Sequence, residues 1–358
     1  MATVYILQKL LSILILLRFK SVYSFLCIIL FFFIFFFKDD SFDIGGYTTL
    51  ASVPGVFELF YSGVIDTIHS FVGDNRLVIY IYQLLYVGLA SSIIFFFKEN
   101  KFLILAVLLS SVAMMLGVHN NLRQGSASVW ILLGIISFIQ GKKKIGVLST
   151  LISLGFHSAS FFFVILIATL GIAYKYCVPN ESYKRNRILY VYGISFFLAL
   201  VCLFVFSMIV YLSNFASTSY GDLSSVKNLP FTEQGQLGFG RYLGMDLATG
   251  NPDRVNHQFK ILILFLFWLS TEFLLKFRSI DHQLDFIRYL RQFFIMFVVC
   301  LGFFSIFNEI GNRILYLYYV VEMGMLCFLI DRKMYNLTVF ILLSYAFAFN
   351  VWTILGGI

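Results

Sequence analysis

His119-Asn120-Asn121-Leu122-Arg123-Gln124-Gly125 opens the stretch that decides how this chain folds. An apolar run to Ile139 follows, then Lys142-Lys143-Lys144, then a second apolar run closing on Gly155-Phe156-His157-Ser158-Ala159-Ser160. The runs have the length of helices, and the corners between them are strongly polar. An ionisable side chain at membrane depth is costly enough to demand a functional reason. Arg123 and His157 flank one pair of expected crossings.

Outward from this stretch the pattern repeats. Of 358 residues, 60% are hydrophobic and only 12% are charged, and the mean hydropathy is +0.90. Apolar runs near 20 residues recur along the whole chain, which marks helical membrane spans. They are unbroken instead of alternating, which excludes a β-barrel. The expected fold is therefore all-α: a polytopic integral membrane protein of about twelve transmembrane helices, forming a single transmembrane domain over residues 1–358. The net charge of +8 sits mostly in short Lys/Arg clusters between runs, as the positive-inside rule requires of cytoplasmic loops. Some of that charge meets lipid headgroups, and nucleic acid is not an expected partner. Cys27, Cys177, Cys202, Cys300 and Cys327 form no C-x-x-C pair, so neither a metal site nor a disulfide framework is expected. Met1 to Leu17 lacks the basic start and small-residue cleavage site of a signal peptide.

With the basic Arg18-Phe19-Lys20 turn inside, residues 38–75 form an external segment with Gly45-Gly46 and Pro54-Gly55 as turn signals. Within it, Val56, Phe57, Leu59, Phe60, Val64, Ile65, Ile68 and Phe71 recur at helical spacing, and Glu58, Ser62, Asp66 and Ser70 take the other face. That is an amphipathic helix expected at the external interface. Leu77–Phe97, Phe102–Val118 and Ser126–Ile139 then cross in turn. Between Lys142–Lys144 and the basic loop at Lys184–Arg187 the number of crossings must be even, so Ile145 to Tyr174 reads as two short helices meeting near His157. Residues 213–258 form a second, larger external loop. A basic inner loop holding Lys276, Arg278, Arg288 and Arg291 follows Lys260–Leu275.

The polar sets gather on one side. Arg123 and Arg313 stand at the external ends of spans, and a pair of guanidinium forks suits a pyrophosphate at the bilayer surface. The plainer reading is an arginine that snorkels to headgroups; Asn120, Asn121 and Gln124 beside Arg123 weigh against it, whereas Glu309 one turn from Arg313 suits a simple ion pair. His157, between two short helices, is either a general base or phosphate contact or a histidine bonded across a helix pair. In the large loop, Arg241 lies in a Gly-rich turn, and Asp253 and His257 are one turn apart if helical; solvated loop residues are the commoner case. Glu272 and Glu322, inside apolar runs, suit pairing with neighbours on adjacent helices. No G-x-S-x-G elbow and no carboxylate cluster for a metal occurs, so no cofactor is expected.

These residues resemble the EpsG family of Wzy-like bacterial surface-polysaccharide polymerases. The resemblance rests on Asn121-Leu122-Arg123-Gln124, the Lys-rich turn, and Phe156-His157-Ser158. It also rests on Asp43, Tyr47 and Glu58 early in the chain, and on Asn312-Arg313-Ile314-Leu315-Tyr316 late in it. It implies a GT-C-like glycosyltransferase in the bacterial inner membrane with its large loop and reaction on the periplasmic side. The implied partner is an undecaprenyl-diphosphate-linked oligosaccharide, with room for a chain-length regulator. Arg123 and Arg313 would hold the diphosphate, His157 would be a base or positioning residue, and Asn121, Gln124, Arg241, His257 and Glu309 would contact substrate. A membrane O-acyltransferase and a lipid-linked oligosaccharide flippase are the alternatives.

Overall fold

The computed structural model describes residues 28–29, 42–52, 58–119, 122–157, 160–177, 254–276, 281–304 and 308–344. Among them there are helices and turns and no strand, the form in which an apolar backbone satisfies its own polar groups. The helices are α1 (Phe42–Leu50), α2 (Leu59–Val72), α3 (Asn75–Ser91, continued by a 3-10 turn over Ser92–Phe96), α4 (Lys101–Leu109), α5 (Val112–His119), α6 (Leu122–Ile139), α7 (Lys143–Phe156), α8 (Ser160–Cys177), α9 (Arg254–Lys276), α10 (His282–Phe304), α11 (Asn308–Asp331) and α12 (Tyr335–Ser344). Of the apolar runs expected at 4–17 and 21–37 only residues 28–29 are described, and the run expected at 188–212 and residues 213–253 of the large loop lie outside the described residues.

By length and composition, Asn75–Phe96 and Leu122–Ile139 suffice to cross a bilayer. The run expected to be one span over Phe102–Val118 is broken into the pair α4 and α5, bent by 55°. Ser110 and Ser111 supply the cause. Ser110 Oγ donates to the Val107 carbonyl at 2.9 Å, and Ser111 Oγ accepts from the Met114 amide at 3.2 Å. Side chains that capture backbone groups in this way compete with the helical ladder and bend it. Two other expectations need correction. Gly45-Gly46, read as a turn, lies inside α1. Arg288 and Arg291, read as part of a basic loop, lie inside α10, which starts at His282 because Asp281 Oδ1 accepts from the Leu284 amide at 2.9 Å and caps it.

The two helices expected over Ile145 to Tyr174 are present as α7 and α8, with His157 extended between them. The α6–α7 joint is a helix hairpin. Gly141, at φ +76°, supplies the left-handed residue of a Schellman turn in which the Gly141 and Lys142 amides donate to the carbonyls of Phe138 (3.0 Å) and Ser137 (2.8 Å).

The turns expected inside meet one another. Lys333 pairs with Glu99 at 3.0 Å, and Asn100 donates to Tyr335 Oη at 3.1 Å. Gln140 donates to the Phe96 carbonyl at 2.6 Å, and Arg332 reaches Asp281 and Gln283. Tyr174, near the end of α8, donates to Asp285 at 2.9 Å. One end of the helix bundle therefore gathers the turns at 96–101, 140–144, 281–285 and 331–335, and α8 returns to that end.

Roughly 14 Å above it, nine residues in from the end of α10 and of α11 at 1.5 Å per residue, lies a buried ionic network. Arg291 is bound by both oxygens of Glu322, one at 3.0 Å, and reaches Glu272 at 3.3 Å. Gln292 and Arg288 also donate to Glu272, at 2.8 and 2.5 Å. The pairing expected of Glu272 and Glu322 is thus present. Charges this deep persist only when compensated by partners and hydrogen bonds.

Candidate functional site

The opposite end of the bundle holds the three-residue centre of the candidate site. Glu58 is the residue immediately before α2. Its Oε2 accepts from Arg123 Nη1, near the start of α6, at 2.9 Å. Its Oε1 lies 3.0 Å from Nδ1 of His157, the residue that ends α7. Arg123 and His157, 34 positions apart in sequence, thus share one carboxylate. Their side chains are 30% and 10% exposed and that of Glu58 is 18%, so a ligand can reach the guanidinium more readily than the imidazole.

Packing delivers Glu58 to this point. Helix α2 turns Tyr61, Ser62 and Ile65 inward and leaves Leu59 and Phe71 exposed, so the face carrying Glu58 and Ser62 is the one that meets the protein. Tyr61 stacks edge-on against Tyr82 of α3 (4.7 Å between centroids), and Phe60 meets Phe156 edge-on at 6.1 Å. The second contact depends on Gly155. A Cβ at 155 would stand 2.2 Å from the Phe60 ring, so the ring can lie against the end of α7 in this position only because residue 155 is glycine. On the far side, the Arg123 guanidinium stands 5.7 Å from the centre of the Tyr47 ring of α1, within cation–π range.

Electrostatics follow from this geometry. Burial by itself would raise the Glu58 pKa above the ordinary 4.5. The hydrogen bond from His157 and the Arg123 charge outweigh it and hold the carboxyl at about 2. Glu58 is therefore ionised at any physiological pH and can only accept hydrogen bonds.

Of the other sequence candidates, Gln124 is buried in α6 beside Arg123. Glu309 and Arg313 occupy the first turns of α11, whose next turn carries Tyr316. Tyr316 Oη bonds the Ala113 carbonyl of α5 at 3.1 Å and lies 3.3 Å from Tyr86 Oη. A Cβ on Gly125 would meet Tyr316 Oη at 3.1 Å. Position 313 is thus one turn from the place where α11 crosses α5 and α6, near the α6 end that bears Arg123. His257, expected in the large loop, falls in the first turn of α9. Asn121 and Arg241 lie outside the described residues. Ser160, at the start of α8, donates its amide to the His157 carbonyl at 2.9 Å, and its buried hydroxyl has no partner among the described residues. Among the described residues no three His, Cys, Asp or Glu side chains come together to hold a metal ion.

Glu58 is named among the residues that carry the family resemblance, but sequence reasoning assigned it no role. Its signal was present, as an acidic residue opening an amphipathic helix, but nothing local joined it to positions 65 and 99 residues later. No curated protein and no solved structure matches this chain. The sequence model of the EpsG family, a family of polysaccharide-polymerase type, matches residues 20–357, so the match takes in Glu58, Arg123, His157 and Arg313 together, and the chain belongs to that family.

Proposed function

We propose that this protein polymerises lipid-linked oligosaccharide repeat units at the outer face of the bacterial inner membrane. In this reaction the acceptor sugar's hydroxyl oxygen attacks the anomeric carbon of a donor chain carried on undecaprenyl diphosphate. The new C–O bond forms as the bond from the anomeric carbon to the phosphate oxygen breaks. The bonding pair leaves with the diphosphate, and the hydroxyl proton passes to a base. Arg123 and Arg313 hold the diphosphate and stabilise the charge that grows on it, an effect worth about 10²-fold or more in rate per donor. His157 takes the proton. The observation that carries this reading is the Arg123–Glu58–His157 cluster, a reachable guanidinium and an imidazole held by one carboxylate at the end of the bundle remote from its basic turns.

The test is direct. Purified protein in lipid nanodiscs should lengthen an undecaprenyl-diphosphate repeat unit with no nucleotide sugar added. Arg123→Ala and Arg313→Ala should each slow that lengthening by about 10²-fold or more. No lengthening by the wild type, or full activity in both variants, would refute the assignment.

A flippase is the reading favoured by one other observation, the charged network of Arg291, Glu272 and Glu322 at mid-depth. Its charges are mutually compensated, however. The two cavities beside Glu322 measure about 10 Å³ each, room for one water and far too small for a sugar. Deletion separates the two. Loss of a polymerase leaves single repeats on the cell surface, and loss of a flippase leaves none.

A further inference from the structure

Resting on the polymerase reading above, we propose that Glu58 is the positioning residue that fixes the tautomer of His157, making its Nε2 the nitrogen that receives the acceptor's proton. A guanidinium is donor-only and does not deprotonate in proteins. Arg123 Nη1 therefore donates to Glu58 Oε2 and keeps that carboxylate charged. A charged carboxylate has no proton to give, so the 3.0 Å contact between Oε1 and His157 Nδ1 requires the proton to be on Nδ1. When neutral, the ring then carries its lone pair on Nε2, the form in which that nitrogen accepts a proton. The same logic orients the histidine of hydrolase triads, in which a carboxylate sets the ring and does not itself take the proton.

Three features of the fold hold Glu58 for this task. It sits at the fixed start of α2, whose Tyr61 and Ile65 are fully buried. Gly155 admits Phe60 against α7 two residues before His157. His157 itself terminates α7 in extended backbone and accepts the Ser160 amide at its carbonyl, so the ring is anchored at its root and at Nδ1.

Glu58→Gln makes the proposal specific. The amide has one accepting and one donating end. Arg123 can only donate, so the amide oxygen turns to Arg123 and the NH₂ faces His157. Nδ1 must then accept, the proton moves to Nε2, and the base is lost while size and packing are kept. A mere tie between α2 and α7 would weaken the fold and leave the tautomer alone.

The experiment uses the full chain in nanodiscs with a lipid-linked repeat unit, comparing wild type, Glu58→Gln, Glu58→Asp, His157→Ala and the Glu58→Gln/His157→Ala pair. Glu58→Gln should lower kcat by roughly 10²- to 10⁴-fold with KM for the donor nearly unchanged. The double variant should be no slower than His157→Ala alone, the non-additivity of groups that act as a unit. Glu58→Asp, which keeps an acceptor-only carboxylate, should recover activity relative to Glu58→Gln. In parallel, ¹⁵N NMR of histidine-labelled protein, with the His157 signal assigned by its loss in His157→Ala, should show the Nδ1–H tautomer in the wild type and Nε2–H in Glu58→Gln. The proposal is overturned by an Nε2–H ring in the wild type, an unchanged tautomer in Glu58→Gln, or losses that multiply in the double variant. If the wild type makes no polymer, the polymerase reading falls, and the NMR result alone still decides whether Glu58 sets the ring.

Discussion

Glu58 shows how far one side chain can depend on two others. Its carboxyl is held at about 2, against an ordinary 4.5, by the His157 hydrogen bond and the Arg123 charge, both acting against the burial that would raise it. The sign of the pH dependence follows. A depressed folded pKa contributes stability that is complete above about 4.5 and disappears as pH falls toward 2. The increment is on the order of 3 kcal/mol. In detergent, the midpoint of thermal unfolding of the wild type should hold from neutrality down to about pH 4.5 and fall below it. Glu58→Gln should start lower at neutrality and lack that acid-sensitive part, so that the two curves converge near pH 2. Parallel curves at all pH values would mean the carboxyl is not held in this way. Arg123 and His157 were legible as candidates because each is a polar residue where an apolar run begins or ends. Their common partner Glu58 entered through the family resemblance and without a role, since no periodicity or spacing links position 58 to 123 or 157.

Two glycines separate shape that serves the site from shape that serves the fold. A Cβ on Gly155 would collide with Phe60, which is 41% exposed and has room to swing outward. A Cβ on Gly117 would stand 2.1 Å from Tyr86 Oη and 2.7 Å from Tyr316 Oη, and both of those rings are buried with nowhere to go. Gly155→Ala should therefore leave the melting temperature close to wild type. It should still cut polymerisation by about 10- to 100-fold, because displacing Phe60 shifts Glu58 away from His157 and misplacement on the ångström scale is costly. Gly117→Ala should cost about 1–3 kcal/mol of stability through overpacking, seen as a lower unfolding midpoint. The reverse ordering would contradict this division. Helix ends show the same mix of legible and hidden. The capping aspartate that starts α10 can be read locally, yet the charges of Arg288 and Arg291 hid a helix interior by looking like a loop. The bend at Ser110-Ser111 was equally hidden, since two serines in an apolar run interrupt no hydropathy signal.

At the scale of the molecule, the basic turns sit together at one end and the Glu58 cluster at the other, as far apart as α6 is long. Single cysteines at exposed Thr67 and Lys144, in a chain otherwise free of cysteine, should report this to a membrane-impermeant maleimide. Thr67→Cys should label from outside the inner membrane and Lys144→Cys only after lysis; labelling of both from one side would reject the arrangement. The apolar runs by themselves determined the helical class and the approximate helix positions, because burying an unpaired backbone in lipid is prohibitive and helices resolve it within one segment. Charge clusters determined which turns belong together. Only the tertiary structure decided that Arg123 and His157 meet through Glu58, that Arg291 is compensated by Glu322, and that α8 returns to the basic end. Each of these is a contact between segments distant in sequence. It is set by which helix faces can pack closely enough for a hydrogen bond, and so it leaves no mark on local composition or periodicity.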